Sequence, residues 1–328
     1  MKPYLALFRG GPSSLHPHAV ERLSAQNFDY ALSWFGDEAP DAPGAAFVHR
    51  QKGAKWPGLE QTLIAHRDAI SQYRYVWLPD DDLLCTPEKV SLMFSMCDEL
   101  QLELAQPALT LDSYFTHTIT MQHQAFQLRF TNFVEIMAPI VSAAMLDRIF
   151  PTLAGNISGY GLDGLWPHLT KLGNVAIIDD TPVKHTRPVG GPNYLFSQKA
   201  GIPPVHEDWL VSATYGIERP ADFQVNYGGL LQDGTPIAIG DSEYEIDHML
   251  RMLIESCSKI ALTSVQFTRY LSNHLAYWHG GGPGQRRYPR NALRVVLNHS
   301  FRHLGFQFPE APTVPMSETA AAVQGKAS

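Results

Sequence analysis

The chain has 328 residues, 45% hydrophobic, 17% charged and 11% aromatic, which is the balance of a globular protein long enough to bury a sizeable core. Its 25 basic and 32 acidic side chains leave a formal charge of −7, so no global positive field exists to draw nucleic acid or an anionic membrane. Three cysteines (Cys85, Cys97, Cys257) are an odd number without CxxC spacing, which argues against a disulfide framework or a cysteine zinc site and suits a reducing, cytoplasmic setting.

The apolar run at 4–8 is too short for a secretion signal and reads as a first strand. Residues 30–34, 46–49 and 75–78 read as further strands, each brief, β-branched or aromatic, and bounded by turn residues. Between the last two, Leu59, Leu63 and Ile70 predict a helix after Pro57. After Cys85, Thr86 is placed to cap a helix, Pro87 suits its first position, and Val90, Met93, Phe94, Cys97 and Leu100 form its buried stripe. Strands are expected near 134–136 and 175–178, then a Pro- and Gly-rich functional loop over 184–193. A capping box at Ser242 and Glu245 opens a helix whose apolar repeat runs from Ile246 to Cys257, and a second helix covers 262–278. Gly280 to Gly284 break the chain before a basic cluster of Arg286, Arg287, Arg290 and Arg294. The small, polar stretch from Ala311 reads as a disordered tail. No window approaches eighteen apolar residues, so no membrane-spanning helix is expected, and no internal repeat is present.

The alternation predicts an α/β fold, a mostly parallel sheet sandwiched by helices, over 1–235, then a helical extension over 236–310 and the tail over 311–328. The most informative stretch is Tyr75-Val76-Trp77-Leu78-Pro79-Asp80-Asp81-Asp82-Leu83, where a buried strand runs straight into three carboxylates. Ligands in open α/β sheets bind outside the carboxyl ends of the strands. Three adjacent carboxylates repel one another unless a cation joins them. Mg²⁺ or Mn²⁺ suits such a site, taking one or two carboxylates plus substrate phosphates.

A strand ending in Asp-x-Asp resembles the metal–nucleotide motif of GT-A glycosyltransferases. With Gln106–Leu109, Phe133-Val134-Glu135-Ile136-Met137-Ala138-Pro139 and Gly159-Tyr160-Gly161-Leu162-Asp163, residues 1–195 more narrowly resemble the family called domain of unknown function 707. Pro79 departs from the apolar residue common before the motif. The resemblance implies a GT-A-like fold and transfer of a sugar from a nucleotide-diphosphate donor to a carbohydrate or other hydroxyl acceptor. It implies Asp82 and Asp80 at the metal, Asp80 also at the donor, and His185 as a further metal ligand. Arg9 follows the first strand, where such enzymes hold base and ribose, while Lys184 and Arg187 read as phosphate partners. Asp163 is the candidate base, with Trp166 as a sugar platform. Glu135 ranks lower, because a solvated sheet face explains it equally well. Two rivals remain: a binding protein of the same fold without turnover, and an NAD-dependent oxidoreductase using the GxGxxG match at Gly159 to Gly164.

Overall fold

Alternation along the first strand decides the layering. In β1 (Tyr4–Gly10), Tyr4, Ala6 and Phe8 join one apolar cluster while Leu5 and Leu7 join another, so the strand is buried on both faces. The structure, a computed structural model, describes residues 1–170, 173–188, 199–217, 224–238, 243–260 and 262–280. After β1 come the one-turn helix α1 (His16–Ala19), β2 (Phe28–Trp34) and β3 (Val48–Arg50), then α2 (Lys55–Ala65) and the short α3 (Arg67–Ile70). The apolar side chains of α2, with Ile70, pack on the Leu5/Leu7 face. The strands β4 (Tyr75–Trp77) and β5 (Leu83–Leu84) precede α4 (Pro87–Glu99), whose Val90, Met93, Phe94 and Cys97 cover the opposite face. Pro87 opens α4 as its sequence predicts, although Thr86 makes no side-chain capping bond to the backbone.

The chain continues through β6 (Leu104–Leu109), β7 (Phe126–Thr131), β8 (Ile140–Ser142), α5 (Ala143–Ile149), α6 (Leu162–Leu165) and β9 (Val175–His185). It closes with α7 (Pro204–Tyr215), β10 (Asn226–Leu231), β11 (Pro236–Ala238), α8 (Glu243–Cys257) and α9 (Ser264–Gly280). The strand order is β11-β10-β7-β9-β6-β8-β4-β1-β2-β3, with β5 paired to β9 apart from that path. β1, β2 and β4 run parallel, as do β2 with β3 and β6 with β9. The antiparallel β8 sits between β4 and β6 and so keeps them pointing the same way. The carboxyl ends of β1, β4, β6 and β9 therefore meet on one rim of the sheet.

Two expectations are corrected. Residues 133–139 form a turn and not a strand: Ala138 N donates to Glu135 O at 3.2 Å, and Lys55 rather than a neighbouring strand takes the carbonyls of Ile136 and Met137. The expected loop over 184–193 begins later, because β9 runs on to His185 and pairs antiparallel with β5, Leu83 opposite His185. The helix expected over 262–278 lies within two residues of α9, and the one expected near Ser242 is α8, with Ser242 itself outside the described residues. Of the expected Gly-rich break, Gly280 still belongs to α9, and the rest of it, the basic cluster and the tail lie outside the described residues. No helix among the described residues is long and apolar enough to cross a membrane. All three cysteines are free and buried.

Candidate active site

The acidic run leaves β4 with its backbone held at several points. Leu78 N donates to Pro139 O (2.9 Å) and Asp80 N to Met137 O (2.8 Å). Asp81 O accepts from Leu15 N (2.7 Å), and Asp82 O accepts from both the amide and the hydroxyl of Thr186 (3.1 and 2.9 Å). Segments from three other parts of the chain thus hold the run, and its carboxylates are free to be arranged by their partners.

Each carboxylate has a different cationic neighbour. Asp80 Oδ1 lies 2.6 Å from Lys55 Nζ, which also donates to Ile136 O (2.7 Å) and Met137 O (3.0 Å) and lies 5.0 Å from the Trp56 ring centroid. The Lys55 side chain is only 4% exposed whereas Asp80 is 32% exposed, so the pair is anchored inside and open on the Asp80 side. Burial pulls the lysine pKa down against the attraction of Asp80, and burial raises that of Asp80 despite Lys55. Asp81 lies 3.1 Å from Arg187 Nη1, whose Nη2 donates to Ser13 O (2.6 Å). Burial lifts Asp81 to about 6 even so. Asp82 Oδ2 faces His185 Nε2 at 3.3 Å, and its Oδ1 is buried with no hydrogen-bond partner.

His185 has a defined orientation. Its Nδ1 is 2.8 Å from Tyr114 O, a pure acceptor, so Nδ1 carries the proton and Nε2 is the atom turned to Asp82. A neutral imidazole would then oppose its lone pair to a carboxylate, an arrangement that a proton or a metal ion must bridge. Burial alone would lower the imidazole pKa, but the hydrogen bond and charge of Asp82 outweigh it and the net shift is upward.

A second acidic pair lies alongside. Glu135 is half-buried, with Oε2 enclosed and unpartnered, and its amide donates to Gln106 Oε1 at 2.5 Å. Burial and the charge of Asp163 push its carboxyl up to about 8, within electrostatic reach of His185, Asp80 and Lys55 as well. Asp163, in the first turn of α6, accepts from Gly164 N at 2.9 Å, and burial raises it to about 7. Two carboxyls whose pKa burial raises, beside a charged cluster, are candidates for proton transfer. Glu135 and Lys55 are the residues that the sequence left unassigned to the site.

The remaining candidates are distributed unevenly. Arg9 is buried, donates to Ser33 O, Ser33 Oγ and Gly53 O (3.2, 3.0 and 2.8 Å), and lies 5.4 Å from the Phe35 ring centroid, with Asp81 in its field. A Cβ at Gly58 would come within 2.3 Å of its Cζ, so a side chain there would displace the guanidinium. Lys184 alternates with His185 across β9, pairs with Asp112 at 2.6 Å and lines a separate cavity with Arg22 and Lys89, so it is not beside the acidic run. Trp166 is no sugar platform: it is fully buried, packs edge-on to Trp56 at 5.1 Å and donates to Thr152 Oγ1 at 3.0 Å. Residues 159–164 follow turns and enter a helix of four residues, without the strand-turn-helix frame of a dinucleotide site, which removes the NAD reading.

Among the described residues, no group of three His, Cys, Asp or Glu side chains is arranged to hold a metal by itself. Asp82 and His185 nevertheless fit a divalent ion that takes its other ligands from a substrate: Asp82 Oδ2 and the imidazole Nε2 face each other with a cation needed between them, and the second carboxylate oxygen, Oδ1, has no hydrogen-bond partner.

No protein-family profile and no curated protein matches the sequence, so the resemblance to domain of unknown function 707 gains no support there. Among solved structures, the chain is similar to S. aureus TarS at 11% identity and a TM-score of 0.39, covering 92% of this chain but only 54% of TarS. It is similar to TarS residues 1–349 in complex with UDP-GlcNAc at 11% identity and 0.38, covering 85% of this chain and 92% of that one. A Desulfovibrio desulfuricans G20 protein, provisionally described as a nucleotide-diphospho-sugar transferase, is similar at 12% identity and 0.32, covering 52% and 74%. Likeness of this degree carries no conclusion about activity, which must come from the site itself.

Proposed function

We propose that the chain is a glycosyltransferase that takes a nucleotide-diphosphate sugar as donor and a hydroxyl compound as acceptor, with Mn²⁺ or Mg²⁺ as its cofactor. The observation that carries this reading is the Asp82–His185 pair at the end of β4, an orphaned carboxylate oxygen and an oriented imidazole nitrogen, next to Asp80 and Arg187. When bound there, a divalent ion would neutralise charge that develops on a departing diphosphate. The chain's own residues do the rest. Asp82 and His185 hold the ion's protein side, Arg187 offers the phosphates its exposed guanidinium, and Lys55 fixes Asp80 so that its open oxygen faces the donor. Asp163, with its carboxyl lifted to about 7, takes the proton of the attacking hydroxyl.

Calorimetric titration with nucleoside diphosphates, with Mn²⁺ and with EDTA, tests the reading. Binding should require the ion, and Asp82→Asn should weaken it by at least about tenfold, since a charged ligand and its hydrogen bonds are lost. Once an acceptor is found, Asp163→Asn should bind donor normally but transfer about 10²–10⁴-fold more slowly. Metal-independent binding would sink the site. Metal-dependent binding without transfer to any acceptor would mark a binding protein of the same fold.

A further inference from the structure

The turn at 133–139 is clasped from two sides. On one side, Met137 O accepts both Asp80 N and Lys55 Nζ, which ties the turn to the acidic run. On the other, Ile136 packs against the loop that carries Asp163, so closely that a Cβ at Gly159 would lie 2.2 Å from Ile136 Cδ1. Glu135 precedes both contacts, its amide is fixed by the buried Gln106, and no hydrogen bond in the described structure explains its enclosed Oε2. A buried carboxyl oxygen left unpaired costs free energy unless something else pairs with it.

If the diphosphate lies at Asp82 and His185 and the acceptor hydroxyl at Asp163, the sugar in transit lies between them, which is where this turn sits. We propose that Glu135 binds a hydroxyl of the transferred sugar and so helps select which nucleotide sugar is used. This rests on the glycosyltransferase reading and adds a residue that the acidic run and the base do not supply. The ligand class is a sugar with a free ring hydroxyl, because a hydroxyl both donates and accepts and so pairs with a carboxyl group in either protonation state. The assignment also makes specificity sensitive to one atom: a site built to hydrogen-bond a hydroxyl discriminates strongly against an analogue lacking it.

The experiment compares two ligands of the same nucleotide by calorimetry in Mn²⁺. The probes are UDP, GDP, ADP, CDP and dTDP, each with its glucose or N-acetylglucosamine conjugate, applied to wild type, Glu135→Gln and Glu135→Ala. For the nucleotide that wild type binds, both variants should hold the bare diphosphate within about twofold. The sugar conjugate should bind at least about tenfold more weakly to Glu135→Ala, with Glu135→Gln between, as expected for losing a hydrogen bond with a polar substrate group. Glu135→Gln keeps size and polarity, so it carries the test if the alanine variant does not fold. Equal effects on diphosphate and conjugate, or no effect on either, would overturn the assignment while leaving the transferase reading intact. Failure of wild type to bind any of the diphosphates would overturn both.

Discussion

At the scale of single residues, the Asp82–His185 contact makes a quantitative demand. The Nδ1 proton of His185 is committed to Tyr114 O, so only Nε2 can exchange a proton for a metal. Because the hydrogen bond and charge of Asp82 outweigh burial and raise the imidazole pKa above its ordinary 6.5, a proton holds the metal-free pair below that raised value. A divalent ion binding there would have to displace that proton. Metal affinity should therefore climb by about tenfold per pH unit below the raised pKa and level off above it. Mn²⁺ titrations at pH 6, 7 and 8 read this directly. His185→Ala should bind more weakly at every pH and lose most of the slope, and an unchanged slope would take His185 out of the site. Asp80 differs from Asp82 for an equally local reason, since it already has a buried ammonium.

At the scale of elements, the candidate base depends on a loop that is held from a distance. Glu207 of α7 is buried and its carboxylate accepts Ile157 N and Ser158 N, each at 2.8 Å, together with the Ser158 hydroxyl. Asn156 adds a bond from Gly159 N at 2.6 Å and donates to Tyr160 O at 3.1 Å. These contacts fix the backbone just before α6 and hence the position of Asp163. Gly159 is the tightest point, with φ of +90° and Trp56 Nε1 only 2.3 Å from where a Cβ would be. Gly159→Ala combines a left-handed backbone penalty with overpacking and should destabilise the fold by about 2–4 kcal/mol. Thermal or urea denaturation checks this. A variant as stable as wild type would mean that the loop is not packed against Trp56.

At the scale of the whole molecule, a buried polar knot joins the far strands to the last described helix. Arg129 of β7 donates to both oxygens of Asp179 on β9 (2.8 and 3.1 Å) and to the carbonyls of Ile119 and Met121 (3.0 and 2.9 Å). Asn226 of β10 accepts from Arg129 and donates to Tyr270 and His274 of α9. Both members of the ion pair are fully buried, so deleting one strands the other's charge. Asp179→Ala should cost about 3–5 kcal/mol, seen as a lower urea midpoint. A midpoint within error of wild type would show that the knot is dispensable. This end of the molecule adds a buried ion pair to its apolar packing. The β1–β4 end is built from apolar packing on both sheet faces.

The sequence by itself determined the elements whose chemistry is local. β1, β2 and β4 declared themselves as short apolar runs, α4 by its proline start and repeat, and the acidic run by its place after a strand. The residues converging on that run were less legible, because convergence depends on strand order and not on neighbours in sequence. Nothing in the sequence marks Lys55, which joins the site only when α2 packs its amino end against the 136–137 carbonyls, 81 and 82 residues away. Glu135 reads as a mid-strand residue facing either a cleft or solvent until those residues form a turn at the site. Lys184 and His185 read as partners in one loop until β9 extends through both and its two-residue period turns them to opposite faces. Trp166 reads as a ligand platform until its burial against Trp56 makes it core. Local propensity and periodicity act over a few residues, so sequence carries them. Which buried side chains share a cavity is a property of the packed chain, and only the tertiary structure decides it.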